Sequence, residues 1–217
     1  MSEYVLIPIV LLIVASAGDI LLISSDRSRF RIFTKPVLMP LLVFIYLSLA
    51  ITPRWFILGG LIAGWAGDVI LLNRKKSAFF LGLSSFLVGH VFYILTFLLD
   101  ISQPAMTPLV LTAILGFAAL AWFILSTIWP AEREYQLGLL LYSAALTALG
   151  ISAFARLEFV GGVSGILVAA GSLLFIFSDT MLGYSYFKKR FRGDQLLIMI
   201  SYILAQAGIV SGIILNA

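Results

Sequence analysis

The 217-residue sequence has no cysteine, a single histidine and few charged residues, only 11% of the chain. Without thiols there is no disulfide framework, no thiolate metal site and no cysteine nucleophile. One histidine is a poor start for a zinc site, although aspartates can hold a harder cation, and neither a metal nor an organic cofactor is expected. A soluble domain carries about 25% charged residues, so this composition excludes a water-soluble globule. No HExxH, P-loop, GxSxG or dinucleotide motif stands in a suitable context, which argues against the common hydrolase and nucleotide-dependent classes. Alternating segments of roughly ten residues, the mark of an outer-membrane barrel, are also missing.

What is present is hydrocarbon. Hydrophobic residues make up 62% of the chain, in long runs from end to end, so the expected fold is all-α, a polytopic membrane protein. Cutting at charge and proline clusters predicts eight transmembrane helices over roughly 4–24, 36–52, 55–72, 79–99, 107–128, 136–154, 162–187 and 195–215. No extramembrane domain fits between them, so residues 1–217 read as one transmembrane domain. Met1-Ser2-Glu3-Tyr4 lacks the basic region of a signal peptide, and the run that follows is expected to be a retained first helix.

Alternate loops differ in charge. One set holds Arg27, Arg29, Arg31, Lys35, Arg74, Lys75, Lys76, Arg133, Lys188, Lys189, Arg190 and Arg192; the other holds Arg54 and Arg156. Basic loops stay cytoplasmic, so both termini are expected on the non-cytoplasmic side of a bacterial inner membrane. The net charge of +4 then reports topology, and no nucleic-acid partner is implied. Gly60 and Gly64, with Ala63 and Gly67 beside them, give the small-xxx-small spacing that lets membrane helices approach closely.

Three acids fall inside predicted helices: Asp19, Asp68 and Asp179. A carboxylate in mid-membrane costs about 2.5–3.5 kcal/mol on insertion scales, an expense that packing does not require. Each precedes a basic loop by six to nine residues, which sets all three at similar depth, roughly 9–14 Å from the cytoplasmic loops. His90 shares a helical face with Phe86, Tyr93 and Phe97, and Tyr202 stands one turn from Gln206. Plainer uses exist for each. Asp68 or Asp179 could pin a helix end to a loop arginine, His90 could be a hydrogen-bonded interior histidine, and the tyrosines could form an interfacial belt.

Ordered blocks of the chain resemble one family. They are Lys35-Pro36 opening the second helix, Gly64-Trp65-Ala66-Gly67-Asp68, Phe86 to Tyr93 around His90, Gly171 to Asp179, and Tyr202 to Gln206. Together they are similar to the YhhN-like family of integral membrane proteins, whose animal members are lysoplasmalogenases. The resemblance implies hydrolysis of the sn-1 vinyl-ether bond of lysoplasmalogens to a fatty aldehyde and a glycerophospho-amine. It carries over Asp68, His90, Asp179, Tyr202 and Gln206 as site residues.

That chemistry suits such residues. A vinyl ether is cleaved by protonating its β-carbon, adding water to the oxocarbenium ion and collapsing the hemiacetal. The catalyst therefore needs a protonated acid, a nearby negative charge and a placed water. Asp68 and Asp179 are expected to share acid and base work, with His90 and Tyr93 orienting water or the ether oxygen. Tyr202 and Gln206 would complete a polar shell, Lys35 or Arg74 would meet the phosphate, and Asp19, Asn73 and Ser178 would support. The partners implied are a lysophospholipid substrate and membrane lipid. The alternative is a proton-coupled lipid or small-molecule transporter, since intramembrane acids and histidine also serve proton relays.

Overall fold

The apolar runs close into helices because in hydrocarbon each backbone N–H and C=O must find its partner within the chain. In a computed structural model, residues 3–25, 27–73, 75–129 and 132–216 are described, the side chains of Glu3 and Ser28 excepted; Asp26 and Arg74 lie outside this set. The helices are α1 (Glu3–Ser24), α2 (Arg31–Leu49), α3 (Trp55–Ile70), α4 (Lys76–Leu99), α5 (Pro108–Ile128), α6 (Arg133–Val160), α7 (Gly162–Phe187) and α8 (Asp194–Ile214). A 3-10 turn, Ser28–Phe30, leads into α2. Among the described residues there is no strand. Seven of the helices are long and apolar enough to cross a membrane; α3, with 16 residues, falls short by length.

Local chemistry sets the ends. Thr107 caps α5, its Oγ1 accepting the Val110 N–H at 3.2 Å, and Pro108 takes the first helical position, where its missing N–H costs nothing. Between α6 and α7 the chain turns on Gly161 and Gly162, at φ +67° and +58°, a backbone region that side chains disfavour.

Two boundaries differ by five residues or more from the sequence expectation. The second helix begins at Arg31, five residues before Pro36, so Lys35-Pro36 does not open it, and Pro36 and Pro40 both lie in its interior. The sixth runs from Arg133 to Val160, well past 154, and contains Arg156. Arg31, Lys35 and Arg156, all counted from sequence among the loop charges, therefore belong to helices, and each meets a carboxylate. A paired charge need not stay in water, and that is why charge alone misplaced these ends.

The chain divides into two compact units, Met1–Tyr93 with Ile214–Ala217, and Ile94–Ile213. In the first, α1 packs on α2 and α2 on α3. Leu38, Met39, Tyr46, Ile57 and Leu61 are buried there. The early part of α4 lies against α3 through glycines: a Cβ on Gly67 would come within 2.9 Å of the Phe86 ring, and one on Gly60 would run into Tyr93. Ser85 adds a hydrogen bond to the Ala63 carbonyl at 2.7 Å. The small residues read from sequence as a packing face are used as one.

In the second unit α5 packs on α6 and α6 on α7, and α5 also touches α7. Glycines again bring backbones together. A Cβ on Gly171 of α7 would lie 2.8 Å from the Ala205 carbonyl oxygen of α8, and one on Gly212 would lie 2.8 Å from that of Ser164. Arg156, fully buried, sets its Nε 2.6 Å from Oδ2 of Asp100. Its other nitrogens donate to Ser164 Oγ at 2.9 Å and Ser164 O at 3.3 Å, and the Ser164 hydroxyl donates onward to the Gly212 carbonyl at 2.6 Å.

Candidate functional site

Each unit holds buried polar residues from the sequence-derived set. In the first, α2 lies between two carboxylates carried by its neighbours. Asp19 of α1 is fully buried and accepts from two nitrogens of Arg31, Nε at 3.1 Å to each oxygen and Nη2 at 2.8 Å to Oδ2, while Thr34 donates to Oδ1 at 2.7 Å. One turn along, the Lys35 ammonium sits 2.9 Å from Oδ1 of Asp68 on α3, a carboxylate that is 1% exposed. Arg31 and Lys35 are four residues apart, so one face of α2 supplies both cations.

His90 and Tyr93 lie on α4, both buried. They share a face with Phe86, whose ring covers Gly67, the residue before Asp68. Asn73 sits in the exposed turn after α3, where its Oδ1 accepts the Lys75 N–H at 3.0 Å. Its side chain shapes the turn.

In the second unit Asp179 of α7 accepts a hydrogen bond from the hydroxyl of Tyr142 of α6, and both side chains are buried. Ser178 donates to the Ile198 carbonyl of α8 at 3.0 Å, so its hydroxyl ties two helices together. Tyr202 and Gln206 meet as their one-turn spacing requires, with Gln206 Nε2 donating to the phenol oxygen at 3.4 Å. Tyr202 also packs edge-on against Phe175, the centroids 5.6 Å apart. Asp68 thus meets a lysine, and Asp179 a tyrosine, of a neighbouring helix. Among the described residues no three His, Asp or Glu side chains gather as a metal set.

Four contributors escaped the sequence reading. Arg31 counts in sequence among the loop charges, Thr34 stands before the expected start of the second helix, and Tyr142 is one apolar-looking position in a long hydrophobic run. The fourth, Trp65, was noted only as part of a motif. Its indole Nε1 donates to the Pro36 carbonyl at 2.9 Å. A signal for it was present: Pro40 follows Pro36 by four residues and has no N–H to give that carbonyl.

These features can be set beside known proteins. The chain is 31% identical over 148 residues to a protein named Lysoplasmalogenase TMEM86B from Sus scrofa, a match covering 68% of this chain and 58% of that protein. It is 30% identical over 153 residues to Lysoplasmalogenase TMEM86A from Homo sapiens, covering 68% and 60%. The chain thus spans about three fifths of the length of the curated relatives it matches. No solved structure matches it. The profile described as the YhhN family matches residues 30–213, which takes in Arg31, Lys35, Asp68, His90, Tyr142 and Asp179, and the chain belongs to that family.

Proposed function

We propose that this protein hydrolyses the sn-1 vinyl-ether bond of lysoplasmalogens, releasing a fatty aldehyde and a glycerophospho-amine. Two relatives carry the name lysoplasmalogenase, and the observation that carries the chemistry is the buried Lys35–Asp68 pair. A carboxylate pressed against an ammonium in an apolar interior suits the anionic task of the reaction. It can stabilise the oxocarbenium ion and take the proton of the attacking water.

The steps balance without an oxidant or reductant. A carboxyl proton goes to the β-carbon of the vinyl ether, the ether oxygen shares the resulting positive charge, and water adds to the adjacent carbon. The hemiacetal then breaks its C–O bond to the glycerol, which leaves with a proton. Asp68 and Asp179 are the proposed carboxyls, and His90 and Tyr93 the groups that orient water or the ether oxygen. Tyr202 and Gln206 are proposed to line the substrate. Glycosidases meet an oxocarbenium-like state with paired carboxyls by the same logic.

The proposed setting is a bacterial inner membrane crossed eight times, with both termini non-cytoplasmic and the lysolipid entering from the cytoplasmic leaflet. The charge of the loops supports that orientation. The deciding experiment is aldehyde release by the purified protein from lysoplasmenylethanolamine. Release by the wild type and at least about a hundredfold less by Asp68→Asn is expected. Accumulation of the intact lipid in sealed liposomes, with no aldehyde formed, would replace the reading with transport.

A further inference from the structure

Trp65 belongs to the most polar block of the third helix, yet no step of the proposed reaction uses it. The ring is 40% exposed, while its N–H is directed to a main-chain oxygen of the neighbouring helix. That oxygen belongs to Pro36. In an α-helix it would accept the N–H of residue 40, but residue 40 is proline and has none. α2 is long and apolar enough to cross a membrane, and in hydrocarbon an unpaired carbonyl is costly. The indole fills the vacancy from α3.

The same interface carries the Lys35–Asp68 pair. Lys35 is the residue before Pro36, and Asp68 follows Trp65 by three, so the two bonds cross from α2 to α3 within about one helical turn of each other. We infer that Trp65 is a positioning residue: by holding the carbonyl that Pro40 leaves without a donor, it fixes the register of α2 on α3 and so sets the Lys35 ammonium against Asp68. The effect on turnover rests on the lysoplasmalogenase reading; the register does not.

The test uses the full-length protein in detergent or nanodiscs. The coupling between Lys35 and Asp68 is read as the non-additivity of Lys35→Met and Asp68→Asn in Tm, in wild-type and Trp65→Phe backgrounds. Trp65→Phe is expected to remove most of that coupling and to lower kcat on the order of tenfold to a hundredfold with KM little changed. Pro40→Ala restores a donor to the Pro36 carbonyl, so in the Trp65→Phe, Pro40→Ala protein coupling and kcat are expected to return toward wild type. A loss that merely reflected the missing indole ring would not be rescued this way, and that result would overturn the inference, as would an unchanged coupling in Trp65→Phe. If Trp65→Phe alone does not fold, it is made on Pro40→Ala, where the inference requires it to be tolerated. If the wild type cleaves no lysoplasmalogen, the proposed function fails while the coupling still decides the role of Trp65.

Discussion

Lys35 and Asp68 form an ion pair between α2 and α3 at 2.9 Å, with the carboxylate sealed from solvent and the lysine 12% exposed. Taking one member from a buried pair leaves the other charged and unpartnered, which costs about 3–5 kcal/mol. Lys35→Met is therefore expected to lower Tm more than the Lys35→Met, Asp68→Leu double variant does. Thermal unfolding of the three proteins checks this.

Asp68→Asn keeps the shape of the side chain and removes its acid–base chemistry. Aldehyde release is expected to fall about 10²–10⁴-fold, the share that a positioned acid or base contributes. Loss of the pair is expected to lower Tm, so turnover is measured well below that Tm on protein whose size-exclusion profile shows it folded, and the loss then reads as chemistry.

The Asp19 network looks different in kind, because both oxygens are already taken by Arg31 and Thr34. Thr34→Val is expected to cost about 0.5–1.5 kcal/mol of stability, the worth of an ordinary hydrogen bond, and to leave kcat within a factor of about two or three. Steady-state kinetics beside an unfolding curve separates the two effects.

Tyr142→Phe deletes one hydroxyl from the contact with Asp179 and keeps the ring. Losing one partner of a buried hydrogen bond leaves the other unsatisfied, which costs about 1–3 kcal/mol, so a loss of that order is expected. In an Asp179→Leu background the same change should cost much less, and a double-mutant cycle measures the difference.

No step of the proposed reaction calls for a metal ion. Turnover is expected to survive exhaustive dialysis against EDTA unchanged. Loss of activity that a divalent cation restores would require a different mechanism.

The runs of hydrocarbon made the helices legible, since a stretch long enough to span a bilayer has one usual backbone solution. The seventh helix, expected over 162–187, is found as Gly162–Phe187. Helix ends were less legible where polarity suggested a loop. Pro36 reads as an opening signal, but α2 starts five residues earlier, and Pro40, one turn on, is tolerated because α3 supplies a donor for the Pro36 carbonyl that it leaves open. Arg156 looked solvated, but its partner Asp100 is 56 positions away in sequence, a distance no local pattern can bridge. The intramembrane acids stood out because an unexplained carboxylate is expensive. Their partners did not, since a tyrosine such as Tyr142 looks the same from sequence whether it faces lipid or a carboxylate.

The Asp100–Arg156 contact also bears on how the chain is made. A polypeptide emerges N-terminal end first, so Asp100 has left the ribosome well before the segment bearing Arg156 follows. The sixth helix thus delivers its guanidinium to a counter-charge synthesised earlier, whereas Ser164 and Gly212 come later and close the remaining contacts. Asp100 is therefore available to Arg156 from the moment that helix is made, and a circular permutant that placed Asp100 after Arg156 would reverse that order.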